Sequence, residues 1–106
     1  MSQYTVYRNK SLKSKEQYPY FIDIQNELLS DLDSRVIIPI TQLSYKNSQV
    51  EILTPVIKID NQKYVVMTKS ITVVAKNKLR TVDIVCVKPE IHTAIVSAMD
   101  MIISGI

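Results

Sequence analysis

The chain of 106 residues contains one glycine, Gly105, which is next to its last residue. Glycine most readily adopts a positive φ or allows a close backbone approach, so its scarcity limits the loops that this chain can form. A glycine-rich loop that cradles phosphate is therefore excluded. A tight hairpin turn has to use Asp or Asn instead, and residues 60–63 (Asp-Asn-Gln-Lys) provide them between two apolar runs.

Short runs rich in β-branched and aromatic residues, separated by polar segments, predict a mainly β protein. We expect strands within residues 4–8, 18–24, 35–40, 52–59, 64–68, 71–75 and 81–87. Residues 25–34 mix leucines with polar residues and are expected to form a turn or a short helical segment. Pro39 cannot donate a backbone hydrogen bond, so we expect it at a sheet edge or a strand end.

A helix is predicted at the C-terminal end of the chain. It begins at Lys88-Pro89, because proline suits the first turn of a helix. Apolar residues at spacings of three and four share one face of this helix. They are Ile91, Ile95, Ala98, Met99 and Ile102. Val96, Met101 and Ile103 lie off that stripe, so we expect the helix to have a second apolar surface. The whole pattern indicates a small β-barrel or bent antiparallel sheet with one helix across it.

The composition indicates one globular domain, because 46% of the residues are hydrophobic and the length is that of a single domain. An excess of 13 basic over 10 acidic side chains fits an acidic peptide partner but does not by itself indicate nucleic-acid binding. A single cysteine excludes an intrachain disulfide and favours a reducing compartment. We expect neither a secretory signal nor a membrane-spanning segment.

The residues that carry most enzyme chemistry are scarce. His92 is the one histidine, and there is no cysteine pair, so we expect neither a zinc site nor any other metal site. A Ser-His-Asp arrangement would need His92 as its base, and an exposed helix residue is the simpler interpretation. Cys86 lies among valines and is expected to be a buried, unreactive thiol. We therefore expect a binding protein without a cofactor rather than an enzyme.

Four blocks of the sequence resemble the CcdB toxins, in the order and spacing of that family. Residues 18–25 (Tyr-Pro-Tyr-Phe-Ile-Asp-Ile-Gln) resemble the family's second-strand signature, and residues 35–40 (Arg-Val-Ile-Ile-Pro-Ile) resemble its Arg-x-Val-Ile-Pro-Leu strand. Residues 53–59 (Leu-Thr-Pro-Val-Ile-Lys-Ile) resemble its Leu-x-Pro-x-x-x-Ile strand. Residues 98–106 resemble its terminal helix, which ends in Gly-Ile. The resemblance implies one CcdB-like domain over residues 1–106.

The resemblance implies a mainly β fold with a C-terminal helix, an SH3-like barrel of the CcdB/PemK type with an antiparallel sheet and a small accessory sheet. It implies the toxin of a type II toxin–antitoxin system, acting in the bacterial cytoplasm as a homodimer. Such a toxin binds the DNA gyrase A subunit, traps gyrase with cleaved DNA and is not an enzyme. A CcdA-like antitoxin with a disordered C-terminal segment neutralises it. DNA is then contacted only indirectly, through gyrase or the antitoxin.

The resemblance also assigns residues to these contacts. Ser104, Gly105 and Ile106 match the tripeptide that contacts gyrase. The full set assigned to gyrase binding is Asp100, Ile103, Ser104, Gly105, Ile106, Leu28 and Leu29. The residues assigned to the dimer interface are Met101, Ile102 and Gly105. The family's best-known member has tryptophan where this chain has Ser104, and tryptophan often anchors an interface.

Two alternatives stay open at this point. The related MazF/PemK toxins are endoribonucleases, although this chain lacks their glycine- and arginine-rich loop near the N-terminus. A degenerate toxin that retains only antitoxin binding is the other alternative, and Ser104 is the reason to consider it.

Overall fold

The computed structural model describes residues 3–29, 31–43 and 54–104, in which seven β-strands precede one α-helix. The helix α1 spans His92–Ser104 and follows a 3₁₀ turn at Pro89–Ile91. The strands are β1 Thr5–Arg8, β2 Tyr20–Asp23, β3 Ser34–Gln42, β4 Val56–Ile59, β5 Gln62–Val66, β6 Thr72–Ala75 and β7 Ile84–Val87. The prediction of a mainly β chain that ends in a helix is confirmed. In the described part of the chain, no helix has the length and apolar character needed to span a membrane.

All seven described strands join one antiparallel sheet in the order β4-β5-β3-β2-β1-β7, and β6 pairs with β3 beside this path. The central strand is β3, which is nine residues long. It pairs with β2 along one side and with both β6 and β5 along the other. The sheet curls into a half-barrel, as the CcdB-like fold class requires. The small accessory sheet is not separate among the described residues, because β6 and the β4–β5 hairpin both attach to β3.

Pro39 lies in the interior of β3 and not at a strand end or a sheet edge, which corrects the prediction for this residue. Pairing with β6 covers residues 34–37 of β3, and pairing with β5 begins at Ile40. At Pro39, therefore, neither β6 nor β5 needs an amide hydrogen from β3. Its carbonyl still accepts a hydrogen bond from the backbone N–H of Met67 at 2.9 Å. The proline thus occupies the point where β3 changes partners.

The hairpin predicted at residues 60–63 is confirmed between β4 and β5. Asp60 and Asn61 form its turn with φ angles of 52° and 65°. Both angles lie in the left-handed region, which Asp and Asn tolerate better than other residues with a side chain. Lys58 and Lys63 face each other across the two strands near the turn, and both are exposed.

The sheet carries apolar side chains on both faces because successive strand residues point in opposite directions. One face holds the main core, to which Ile91 and Ile95 contribute from the helical end of the chain. The opposite face holds a smaller cluster of Tyr7, Ile37 and Leu79. The helix therefore covers one face, and the opposite face is left to loops and 3₁₀ turns.

Candidate partner-binding site

The first half of α1 is fixed to the core, as its apolar stripe predicted. Ile95 and Ala98 are 2% and 0% exposed, Met99 packs beside the core, and Ile91 of the preceding 3₁₀ turn is 6% exposed. His92, the first residue of α1, is exposed as expected and forms a hydrogen bond through Nδ1 with the Tyr4 hydroxyl. The two rings meet edge to face, with centroids 5.5 Å apart. This half of the helix is therefore part of the folded core.

The last turn of α1 has no such cover in the described residues. Ile102 is 43% exposed and Ile103 is 77% exposed, while Met101 is half-buried. The stripe was predicted to include Ile102, but the core cluster reaches only as far as Met99. Asp100 is exposed beside them. The predicted binding residues Asp100 and Ile103 therefore lie on the surface, at the end of a helix whose base is rigidly packed.

Ser104 ends α1 with its side chain turned back onto the helix. Its hydroxyl donates a hydrogen bond to the backbone carbonyl of Asp100 at 2.6 Å, a common arrangement for serine in a helix. The proton of the Ser104 hydroxyl is thus already engaged in a hydrogen bond within the chain. Gly105 and Ile106, the other two residues of the predicted tripeptide, lie outside the described residues.

Leu28 and Leu29, the other predicted binding residues, lie on a 3₁₀ turn at Glu27–Leu29, here called the leucine turn. They are 90% and 50% exposed. Asn26 starts the turn, because its side-chain Oδ1 accepts a hydrogen bond from the N–H of Leu28 at 2.8 Å. The turn therefore presents two apolar side chains to solvent.

A buried ion pair lies on the neighbouring strands behind the leucine turn. Arg35 of β3 donates through Nε and Nη2 to Oδ2 of Asp23 in β2, at 3.0 and 2.7 Å. Both side chains are 0% exposed. The sequence analysis missed this pair. The available signal was that two opposite charges occupied adjacent predicted strands, each among apolar residues.

Gln25 connects the leucine turn to this pair and to β3. Its side chain donates to the carbonyl of Leu29 at 2.9 Å and accepts from the N–H of Val36 at 3.0 Å. Its own backbone N–H donates to Oδ1 of Asp23 at 3.0 Å. These bonds hold the base of the turn while Leu28 and Leu29 stay exposed.

Within one chain, the leucine turn makes no extensive contact with α1 among the described elements. The 3₁₀ turns at Pro89–Ile91 and Thr68–Ser70 make the most extensive contacts with α1 among the described elements, and the leucine turn is not one of them. The structure thus places Leu28, Leu29 and the described end of α1 on the surface.

Titratable groups near α1 have conventional structural roles. Cys86 is half-buried against the main core, and burial raises the pKa of its thiol, although Lys88 nearby acts in the opposite direction. A raised pKa keeps the thiol protonated and weakly nucleophilic, as expected, although Cys86 is half-buried and not buried. In the described residues, no group of three or more His, Cys, Asp or Glu side chains is placed to hold a metal ion.

Comparison with known proteins adds a family to this geometry. A model of the CcdB protein family matches residues 3–105, nearly the full length of the chain. A search of curated proteins finds no match. CcdB proteins are toxins of type II toxin–antitoxin systems that poison gyrase rather than act as enzymes. Because the family match spans the sheet, the leucine turn and α1, the chain belongs to the CcdB protein family.

Proposed function

We propose that this protein is a toxin whose homodimer binds the DNA gyrase A subunit with the C-terminal end of α1 and traps gyrase on cleaved DNA. The observation that carries the proposal is the 77% exposure of Ile103 on the last turn of a helix whose first half is buried. Exposed apolar side chains at the end of a firmly packed helix favour contact with another protein. Family membership supports gyrase as that protein.

A homodimer would double this small apolar surface and so enlarge the contact with a partner. In a twofold interface each contact occurs twice, so two helix ends side by side form one larger patch. Met101 is half-buried and Ile102 is 43% exposed in the single chain, which leaves apolar surface that a second copy would cover. We therefore assign Met101 and Ile102 to the dimer contact, to which the family resemblance adds Gly105. The same resemblance assigns Asp100, Ile103, Ser104, Gly105 and Ile106 to gyrase, together with Leu28 and Leu29.

Ser104 changes how the helix end would bind. A tryptophan would bury about 150–250 Å² at an interface, and serine cannot supply such an apolar contact. The Ser104 hydroxyl also bonds to the chain's own backbone, at Asp100. The apolar part of the gyrase contact then falls to Ile103 and Ile106, and the glycine between Ser104 and Ile106 allows a close backbone approach.

We infer that the remaining partners follow the family. A CcdA-like antitoxin with a disordered C-terminal segment would neutralise the toxin in the bacterial cytoplasm. DNA would be contacted only through gyrase or the antitoxin. Family membership supports these partners at the level of the family as a whole.

A cleavage assay tests the proposal. The purified protein is mixed with gyrase, supercoiled DNA and ATP, and the products are treated with detergent and protease. We expect linear DNA with the full chain and none with a variant that lacks Gly105 and Ile106. Leu12→Ala is the matched control, because Leu12 is 85% exposed but belongs to the loop after β1. It should give as much linear DNA as the unaltered protein.

Two results would contradict the proposal. If the full chain is a folded dimer and yields no linear DNA, it does not poison gyrase. If the truncated variant yields as much linear DNA as the full chain, the helix end is not the contact. A parallel incubation with long RNA and no gyrase addresses the endoribonuclease alternative, since cleavage there would assign this chain an enzymatic activity.

A further inference from the structure

The leucine turn buries little of its apolar surface. Leu28 is 90% exposed, Leu29 is 50% exposed, and neither belongs to the two core clusters. Asn26 shapes the turn from within, because its Oδ1 accepts from the N–H of Leu28 and its carbonyl accepts from the N–H of Leu29 at 2.9 Å. Neither of these bonds joins the turn to the sheet. The position of the two leucines relative to the sheet therefore depends on other groups.

Gln25 lies where the pairing of β2 with β3 ends. The last paired residues are Asp23 and Ile37, and the N–H of Ile24 still donates to the carbonyl of Val36 at 3.0 Å. At the next position the Gln25 side chain takes the place of a strand backbone, since its Oε1 accepts from the N–H of Val36 at 3.0 Å. One half of the Gln25 carboxamide is thus tied to the central strand.

The other half of the same carboxamide reaches the leucine turn. Nε2 of Gln25 donates to the carbonyl of Leu29 at 2.9 Å, and the N–H of Leu32 donates to the same oxygen at 3.1 Å. Carbonyl groups at the end of a helical turn have no partner inside it, so donors from outside stabilise its end. Because the carboxamide is planar, its two bonds fix the distance between β3 and the last residue of the turn.

Gln25 is itself held firmly. The residue is 6% exposed, and its backbone N–H donates to Oδ1 of Asp23 at 3.0 Å. Its carbonyl lies 3.4 Å from Nη2 of Arg35, the buried partner of Asp23. A buried amide that loses a hydrogen bond finds little water to replace it, so both bonds of the Gln25 side chain are costly to break.

We propose that Gln25 is a positioning residue for the contact that Leu28 and Leu29 make with a partner, and that its Nε2 donor sets their position. With 6% exposure, Gln25 offers a partner little surface and acts through the turn. A turn that is already ordered loses less conformational entropy on binding, so the hold favours affinity. The inference rests on the proposed function for the identity of the partner, gyrase, but the hold on the turn can be measured without gyrase.

Gln25→Glu separates the two halves of the carboxamide. It keeps an oxygen for the N–H of Val36 and puts a second oxygen where Nε2 donates to Leu29. Asn26→Asp is the matched control, because it adds the same charge one residue away and keeps the Oδ1 that accepts from Leu28. Gln25→Met, which has similar length and no charge, removes both bonds and provides a second measure of the hold.

Amide hydrogen exchange followed by NMR measures the hold without gyrase. We expect the amides of Leu29 and Leu32 to exchange at least about tenfold faster in Gln25→Glu and Gln25→Met, because the turn opens locally. The amides of β2 and β3 should change by less than about threefold. Equal acceleration of the turn and of these strands would mean a global loss of stability and would overturn the proposal. Unchanged exchange of the turn would overturn it as well.

The gyrase cleavage assay measures the consequence for binding. We expect Gln25→Glu to raise the concentration needed for linear DNA about tenfold, and Asn26→Asp to raise it less than about threefold. Leu28→Ala provides a background in which the turn has lost its most exposed side chain. There, Gln25→Glu should add less than about threefold, because residues that act through one contact are not additive.

The results distinguish this inference from the proposed function. If the unaltered protein yields no linear DNA, the proposed function fails and the role of Gln25 in gyrase binding fails with it. If the unaltered protein yields linear DNA and Gln25→Glu does so at the same concentration, only the role of Gln25 is overturned. Equal effects of Gln25→Glu and Asn26→Asp would attribute the change to charge, and an undiminished effect in Leu28→Ala would show that Gln25 does not act through the turn.

Discussion

The two halves of α1 are both apolar but differ in what covers them. In the first half, Ile95 is 2% exposed and Ala98 is 0% exposed. In the second half, Ile102 is 43% exposed and Ile103 is 77% exposed. Stability of the single chain accounts for the first pair, because burial of apolar area is the main favourable contribution to folding. It does not account for the second pair, which is the reason that we assign those residues to contacts with other chains.

The leucine turn also combines a firmly held base with apolar side chains that stay exposed. Leu28 is 90% exposed, yet the backbone beneath the turn is held by Gln25, Asp23 and Arg35. Here hydrogen bonds and a buried ion pair supply the support that apolar packing gives α1. In both regions a fixed base carries apolar side chains that the chain itself does not cover. The predictions below test the base and the exposed part separately.

The largest effect is expected from the ion pair that supports the leucine turn. Arg35→Leu leaves the Asp23 carboxylate buried without its partner, since both side chains are 0% exposed. We expect the free energy of unfolding to fall by about 3–5 kcal/mol. Urea unfolding followed by circular dichroism measures the change.

A double variant separates the cost of an unpaired charge from the value of the pair itself. Arg35→Leu/Asp23→Leu removes both charges, and Nη1 of Arg35 has no hydrogen-bond partner among the described residues to lose. We expect the double variant to be more stable than Arg35→Leu. If the two losses simply add, the destabilisation has another origin.

The next largest effect concerns the covered half of α1. Ile95→Ala removes a side chain that is 2% exposed in the main core, and we expect the free energy of unfolding to fall by about 2–4 kcal/mol. Val96→Ala is the control on the same turn, because Val96 is 42% exposed. It should lose much less in the same urea titration. Equal losses would show that the two faces of α1 do not differ as described.

A smaller effect is expected at the contact that joins the start of α1 to Tyr4, the residue before β1. Burial raises the pKa of Tyr4, whose hydroxyl forms a hydrogen bond with His92. A raised pKa means that the folded state holds the proton more tightly than the unfolded state. This contribution to stability is complete below the ordinary tyrosine pKa of 10.0 and is lost as the pH rises above it. The loss for one group is at most about 1.4 kcal/mol per pH unit.

Tyr4→Phe provides the comparison for that titration. We expect it to cost about 0.5–1.5 kcal/mol near neutral pH through the lost hydrogen bond, and to reduce the alkaline loss of stability. Some alkaline loss should persist, because burial also raises the pKa of Tyr7 and Tyr64. An unchanged alkaline profile would contradict the role given to Tyr4.

Local features of the fold were predictable from sequence, and long-range ones were less so. The turn at Asp60 and Asn61 depends only on residues that tolerate positive φ angles. The apolar stripe through Ile95 depends only on the periodicity of a helix. Where the core stops along α1 depends on the size of the sheet, so the stripe alone did not show that Ile102 stays exposed in the single chain. Pro39 was misplaced because a strand can change partners in its interior, which no local pattern shows.

The candidate binding site likewise contains residues that the sequence predicted and residues that it did not predict. Leu28, Leu29 and Ile103 were selected through a family resemblance, and the structure places them on the surface. Asp23 and Arg35 were missed because only the pairing of β2 with β3 brings these two side chains, 12 positions apart in sequence, into contact.

The smallest effect on stability should accompany the largest effect on function, at Ile103. Because its side chain is 77% exposed, Ile103→Ala should change the free energy of unfolding by less than about 0.5 kcal/mol. If Ile103 is an anchor of the proposed gyrase contact, the same change should raise the concentration needed for linear DNA at least about thirtyfold. Ile95→Ala, assayed where it is still folded, should raise that concentration far less. A large loss of stability without a loss of gyrase poisoning in Ile103→Ala would reverse the roles assigned to the two halves of α1.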